Sequence, residues 1–534
     1  MNNLSKKILF SSALTCGFSI GTSGAEKPNF LVIVCEDISP YLHCYGDQTA
    51  ITPNLDRFSE EAVRHNRMFT SVGVSSPSRY ALITGRFPSA DGANYMRSNY
   101  FNKEFSCVPP AGVKCYTELL RQAGYYCTNN SKTDYQFSAP ASAWDEQGNK
   151  AHWKNAPDDR PFLSIFNLNV THESFIWKNG DKPLAVSPDS VCPAPYHPDD
   201  RITRHDYAVM YTNIKKMDEQ FQKLLGELEE SGRAKNTIVL FYSDNGGPLP
   251  RAKRELMDSG TRVPFMIRFP DRRQKGSETD ELNMFVDIPA TLLSLAGIAP
   301  PANMHGQAMY GSYKIKHPRR YVFGATDRFD EQIEKRASIR SDRYLYIRNY
   351  MPQQSVYRPV TFRLAMPMMR NMLELKEQGK LNNEQMAWFD NNQPVELLFD
   401  CETDPHQLHN LADKKEYRST LREMRKAYQK EWIKPYNQEW EKYPEDYFVR
   451  HMWPGGKQPQ SESPGLKVEN GKVTITNDLS LYSATYQING KGINGKTAHW
   501  RLYSEPITLR KGDILSVRLE RIGYAASSVT QFSL

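Results

Sequence analysis

Residues 29 to 37 read Asn29-Phe-Leu-Val-Ile-Val-Cys-Glu-Asp37. The apolar run from Phe30 to Cys35 is unbroken, so it does not alternate like a strand with one wet face. It predicts a strand covered on both sides, ended by the acidic pair Glu36-Asp37. Similar runs recur at Phe162 to Asn167 and at Thr237 to Tyr242, the latter leading into Asp244-Asn245. Between those two runs, Asp206 to Leu228 sets Met210, Ile214, Met217, Phe221, Leu224 and Leu228 at helical spacing. Cys115 to Ala123 predicts a further helix, capped by Gly124. Strands alternating with helices argue for an α/β sandwich around a largely parallel sheet. Such sheets present their chemistry at the carboxyl ends of strands, where Glu36-Asp37 and Asp244-Asn245 both fall.

The pattern changes after about residue 320. Strands are expected at Tyr321 to Phe323, Tyr344 to Arg348 and Glu396 to Phe399, followed by a helix from about Glu416 to Trp432. Residues 453–465, rich in Pro, Gly, Ser and Gln, read as a linker. From Leu466 to Leu534 short alternating strands follow, among them Lys472 to Ile475 and Ile514 to Leu519. The expected division is a leader over 1–25, an α/β domain over 26–320, a smaller α+β subdomain over 321–452, the linker, and a β-rich module over 466–534. The module either touches carbohydrate or packs on its neighbour, and packing is the plainer expectation. No internal repeat is present.

With 534 residues the chain can bury one large core and carry a smaller unit besides. Lys6 and Lys7 precede an apolar run from Ile8 to Ile20 and small residues through Ala25, the pattern of a secretory signal cut after Ala25. Its apolar core is too short to span a bilayer, and no later segment reads as transmembrane. Cys16 raises lipid attachment, but Ala13 and Thr15 before it fit such a site poorly. The chain is expected to be periplasmic or extracellular. Loss of Lys6 and Lys7 lowers the formal charge from +7 to +5, since residues 1–25 hold no acid. A mildly basic surface suits an anionic substrate, whereas charge spread without a basic block does not support nucleic-acid binding. Of 8 cysteines, Cys16 leaves with the leader, so Cys35, Cys44, Cys107, Cys115, Cys127, Cys192 and Cys401 remain. Their odd number leaves at least one thiol without a partner in the chain, and the spacing names no bridge.

Function is concentrated in residues 75 to 85, Ser75-Ser-Pro-Ser-Arg-Tyr-Ala-Leu-Ile-Thr-Gly85. As plain structure this is a helix start with Pro77 in the first turn. It also resembles the modification motif of type I sulfatases: Cys or Ser, any residue, Pro, Ser, Arg, three residues, Leu or Ile, Thr, Gly. Ser75, Pro77, Ser78, Arg79, Ile83, Thr84 and Gly85 fill every fixed position. The resemblance runs from about Lys27 to Trp432. It implies an alkaline-phosphatase-like sandwich with a large mixed sheet, and oxidation of Ser75 to formylglycine by an anaerobic sulfatase-maturating enzyme before export. An unmodified serine is a weak nucleophile without an adjacent base. A hydrated aldehyde can attack sulfur with one hydroxyl and expel sulfate with the other.

The same resemblance assigns roles to residues elsewhere in the chain. Glu36, Asp37, Asp244 and Asn245 offer hard oxygen donors suited to calcium or magnesium, and together with the modified Ser75 they imply Ca2+. The family usually has an aspartate where Glu36 stands. Apart from the resemblance, these pairs read as a solvated strand end and a turn. Arg79 is expected to hold the hydrate. Lys132 matches the lysine of a Gly-Lys-x-His string, while Asp134 replaces its histidine and is a candidate substrate contact. His172, following the strand Phe162 to Asn167, is expected to contact sulfate and protonate the leaving group. Lys253 precedes the string Gly260-Thr-Arg-Val-Pro264 at the family's distance and is expected at the bridging oxygen, with Arg262 structural. Taken singly, Lys132 reads as a surface lysine and His172 as a structural histidine.

Asn94 to Arg97, and Thr326 to Glu331 followed by Arg336, are similar to stretches of heparan N-sulfatase-like members. Arg97 and Arg336 are therefore candidates for pairing with a uronate or a second sulfate, or else make ordinary ion pairs. The implied substrate is a sulfated glycan, a glycosaminoglycan or related amino-sugar polymer, cleaved at a sulfate ester or N-sulfate. Two other readings stand beside it: a phosphodiesterase or phosphonate hydrolase of the same superfamily, which a histidine-rich pair of metals would favour, and a non-catalytic glycan-binding protein.

Overall fold

The computed structural model describes residues 27–96, 105–157, 159–437, 443–490 and 499–534. The leader with Cys16, and Arg97, lie outside the described residues. Six long strands build the main sheet: β1 (Asn29–Cys35), β2 (Val63–Phe69), β3 (Tyr126–Asn130), β4 (Phe162–Leu168), β5 (Thr237–Ser243) and β6 (Arg262–Arg268). They lie in the order β2-β6-β5-β1-β4-β3, extended by two-residue strands at both edges. β1 is parallel to β4 and β5, and β3 to β4, whereas β6 runs antiparallel to β5 and β2. The sheet is thus mixed, with a parallel centre, in an α/β sandwich.

β1 is central because both of its faces are apolar. Phe30, Val32 and Val34 enter the core on one side of the sheet, and Leu31, Ile33 and Cys35 the core on the other. Helix α1 (Ser75–Thr84) is buried along its whole length and contributes Tyr80, Ala81 and Ile83 to the first core. It stops at Gly85 (φ 67°), where a side chain would also collide with Met304. Helix α2 (Tyr116–Gln122) begins at Cys115 with a capping box closed by Glu118. Helix α3 (Arg201–Glu230), opened by the Asp200 side chain accepting from the Thr203 amide, lays Met210, Ile214, Met217 and Phe221 on the second core.

A second sheet follows, made of β7 (Val322–Phe329), β8 (Gln332–Arg340), β9 (Tyr344–Asn349) and β10 (Glu396–Asp400), antiparallel throughout. Its last edge is Tyr95–Met96, which pairs parallel with Arg328 and Phe329 and ties this sheet to the chain just beyond α1. Trp432 stacks on Phe323 at 4.9 Å, closing the sheet onto the helical segment 418–437. After Leu466 two small sheets share a core that includes Val473, Leu515, Val517 and Leu519. They are fastened beside α2: Lys114 donates to the carbonyls of Leu479 (2.8 Å) and Tyr482 (3.0 Å), and Arg121 to that of Trp500 (3.3 Å). All seven cysteines after the leader are free thiols. No helix among the described residues is long and apolar enough to cross a membrane.

Candidate active site

The carboxyl ends of β1, β4 and β5 are level, since Cys35 is opposite both Leu168 and Ser243. The residues immediately beyond them therefore meet. Two glycine contacts bring the turn after β5 into place. A Cβ on Gly246 would stand 2.4 Å from the Ser259 carbonyl and 2.6 Å from that of Gly260. Only bare backbone lets the 244–247 turn and the 258–261 turn lie together. α1 is pinned to the same turn by Ser78, whose hydroxyl donates to the Asp244 carbonyl at 2.6 Å. That bond places Ser75, at the first turn of α1, against Asn245.

Asn245 occupies the centre. Its Nδ2 donates to Asp244 Oδ1 at 2.7 Å and Asp37 Oδ1 at 3.0 Å, and lies 3.5 Å from Ser75 Oγ. Its Oδ1 is buried and has no hydrogen-bond partner. Three oxygens thus converge on one point beside an unused amide oxygen, which is a donor set suited to a hard cation such as calcium. Asp37, in the turn after β1, adopts the left-handed region (φ 52°). Glu36 faces slightly aside, accepting from Lys132 Nζ at 2.8 Å, and burial pushes its carboxyl up against the pull of that lysine. Burial would raise Asp244 as well, but Arg79 and then Lys132 and Lys253 outweigh it and hold it at about 2. A tighter trio, Asp37, His172 and Glu173, also brings three possible ligand atoms within 4.8 Å of one another. Glu173 is the weaker ligand there, because Arg254 grips both of its oxygens at 2.9 and 2.8 Å.

The cations surround Ser75. Arg79 donates through Nε to Asp244 Oδ2 (2.9 Å) and through Nη1 to Asn167 Oδ1 (2.7 Å), and its buried Nη2 has no hydrogen-bond partner. Lys132 also stands 3.6 Å from Asp134, which adopts φ 54°. Lys253 is buried between Asp37 (2.6 Å) and Glu173 (3.1 Å); burial disfavours its charge, but these two carboxylates raise its pKa overall. His172 Nε2 is 4.0 Å from Asp37 Oδ2, with Nδ1 against the Ser174 hydroxyl at 2.9 Å. Burial and then Lys253 push its imidazole down to about 4, so it is neutral at pH 7.

The structure therefore brings together Ser75, Arg79, Lys132, His172 and Lys253 with Glu36, Asp37, Asp244 and Asn245, and sets Asp134 at their margin. Arg336 is corrected. It is buried on β8, donating to Glu255 Oε2 at 2.9 Å and to Glu334, so its guanidinium holds the subdomain together and is not presented to a ligand. Arg262 donates to the Asn66 carbonyl at 2.8 Å, a structural contact. Sequence reasoning missed Asn167, Glu173 and Arg254. Glu173 and Arg254 adjoin residues that it singled out, and that adjacency was the available signal.

The chain matches the model of the Sulfatase family over residues 28–298 and that of "N-sulphoglucosamine sulphohydrolase, C-terminal" over 251–384. It is 39% identical to an "Ulvan-active sulfatase" of Formosa agariphila across 95% of this chain and 91% of that one. It is 25% identical to the N-sulphoglucosamine sulphohydrolase of Homo sapiens over 55% of this chain and 65% of that protein. Among solved structures, one described as a 2-O GAG sulfatase superposes with a TM-score of 0.61 at 20% identity, covering 78% of this chain and 94% of that one.

Proposed function

The chain belongs to the sulfatase family and is a sulfuric ester hydrolase, and we propose that it removes sulfate from a sulfated polysaccharide with Ser75 as its formylglycine precursor. The observation that carries this reading is the position of Ser75 Oγ, 3.5 Å from Asn245 Nδ2 within a ring of buried carboxylates and cations. We place Ca2+ with Asp37, Asp244 and Asn245 as its principal protein ligands and Glu36 beside them. When present, the oxidised and hydrated residue supplies the nucleophile, and the metal supplies positive charge next to it.

The remaining roles belong to this chain's own side chains. Arg79, locked by Asp244 and Asn167, holds position 75 and keeps Nη2 for an oxygen. Lys132 and Lys253 offset the charge that builds on the sulfate oxygens. Lys253 is an ammonium at neutral pH and gives its proton to the departing oxygen or nitrogen, while the neutral His172 hydrogen-bonds a sulfate oxygen. Asp134 stands close enough to Lys132, at 3.6 Å, to orient it.

Among substrates, an ulvan-type polysaccharide has the strongest support, since that relative spans nearly the whole chain. A glycosaminoglycan is the second class, supported by the shorter match to the human enzyme. Export through the leader 1–25, maturation by an anaerobic radical enzyme, and the division at 26–320, 321–452 and 466–534 belong to the same reading. A panel of defined ulvan and glycosaminoglycan oligosaccharides, incubated with matured enzyme and assayed for free sulfate, tests it. Release from one class supports the proposal, and release from none, with Ser75 fully converted, overturns it.

A further inference from the structure

Phe362 is one of few large apolar side chains left exposed (43%), and it stands beside the active site. Its ring centroid lies 6.2 Å from that of His172 and 5.2 Å from that of Trp177, the latter edge to face. Trp177 is half-buried on the short helix Ser174–Lys178 that directly follows His172. The two rings thus meet at a corner next to the histidine whose Nε2 is 4.0 Å from Asp37.

The segment presenting Phe362 is built to hold still. Residues Thr361–Ala365 form a single tight helical turn. The Thr361 amide donates to Glu331 Oε1 at 2.5 Å, tying the turn to the hairpin between β7 and β8. Behind it Arg363 is buried, with its guanidinium 5.3 Å from the Trp388 ring. An apolar ring left partly in water forgoes the free energy of burying its open face, and apolar surface exposed beside a polar site marks ligand-binding grooves.

We infer that Phe362, braced edge to face by Trp177, is the platform on which the sugar ring bearing the scissile sulfate stacks. The inference rests on the sulfated-polysaccharide reading and adds the residues that recognise the sugar. The geometry leaves little choice of occupant. The carbon that carries sulfate is one bond from the oxygen released next to Lys253 and His172, so its pyranose ring must lie within a ring's width of His172. The C–H face of a pyranose is the apolar surface that complements an aromatic ring, while its hydroxyls stay free for polar contacts. The second sheet, which anchors Phe362, would thereby help select the sugar.

The test is Phe362→Ala and Phe362→Trp, assayed on the oligosaccharide from the ulvan and glycosaminoglycan panel that the wild-type enzyme desulfates fastest. Phe362→Ala is expected to raise KM about threefold to tenfold with a smaller change in kcat, and Phe362→Trp to restore it. Calorimetric titration of the same saccharide into Ser75→Ala, with and without Phe362→Ala, should show the same loss in Kd. Because Phe362 is exposed, circular dichroism and Tm should be unchanged. Unaltered KM and Kd in Phe362→Ala, with wild-type turnover intact, would overturn the platform alone. Failure of the wild-type enzyme on every saccharide would overturn the glycan reading and the platform with it.

Discussion

Asn245 carries two opposite signals at one amide: a nitrogen shared by Asp37, Asp244 and Ser75, and a buried oxygen that no group among the described residues satisfies. Buried polar atoms are normally paired, and an orphan at a cluster of acids is what a bound cation would relieve. Removal of divalent metal by chelation is therefore expected to lower both turnover and Tm, with calcium restoring both, because an ion bound only to the folded state stabilises it. A Tm indifferent to chelator and to added calcium would contradict the assignment. At this scale much of the site was legible in the sequence, because Ser75, Asp37 and Lys253 belong to short strings with fixed spacing. Asn167 was not legible, and Glu173 only through its place beside His172. Asn167 sits near the end of a mostly apolar strand, and its value lies in reaching Arg79 on a helix 88 residues away in sequence. Arg336 misled for the converse reason: a charged residue in a matching stretch is indistinguishable, without coordinates, from one neutralised by Glu255 and Glu334.

At the scale of elements, strand ends and two turns set the site. Gly246→Ala would drive a Cβ into the Ser259 and Gly260 carbonyls, at 2.4 and 2.6 Å, and so push the 244–247 turn off the 258–261 turn. Overpacking of this kind costs roughly 1–3 kcal/mol or more. The variant is expected to show a lowered Tm together with a larger loss of kcat than the stability change alone would produce. A variant with wild-type kinetics would show that the turn contact does not position Asp244 and Asn245. Elements buried on both faces, such as β1 and β5, could be read directly from their apolar runs. β2 and β6 could not. β2 mixes Arg64, Asn66 and Arg67 with buried His65 and Met68, and β6 contains Pro264, which argues against a strand. The proline is tolerated because the β2–β6 register shifts between His65 and Met68.

For the whole molecule, stability should depend on acid through buried histidines that are not among the site residues. His65 is held between Asn283 and Tyr310, and His197 between Tyr207 and the Pro250 carbonyl. Burial holds them neutral, pushing His65 down to about 4 and His197 to about 3, from an ordinary value near 6.5. Below that ordinary value the unfolded chain takes up protons that the folded chain refuses. Each histidine therefore removes stability as pH falls from about 6.5 toward its folded value, by roughly 1.4 kcal/mol per pH unit. Tm measured across pH 7.5 to 4.5 should fall on the acid side, and a flat profile would contradict this. The terminal β-rich module is bound through Lys114 and Arg121 to the segment that carries α2, so its deletion at residue 465 should also lower Tm. The central claim, Ser75-dependent sulfate hydrolysis, is tested most directly by measuring sulfate released from an ulvan oligosaccharide by enzyme produced with its maturase, beside Ser75→Ala. The account predicts release only by enzyme whose Ser75 peptide has lost two hydrogens, and none by the variant. Equal release by Ser75→Ala would contradict it.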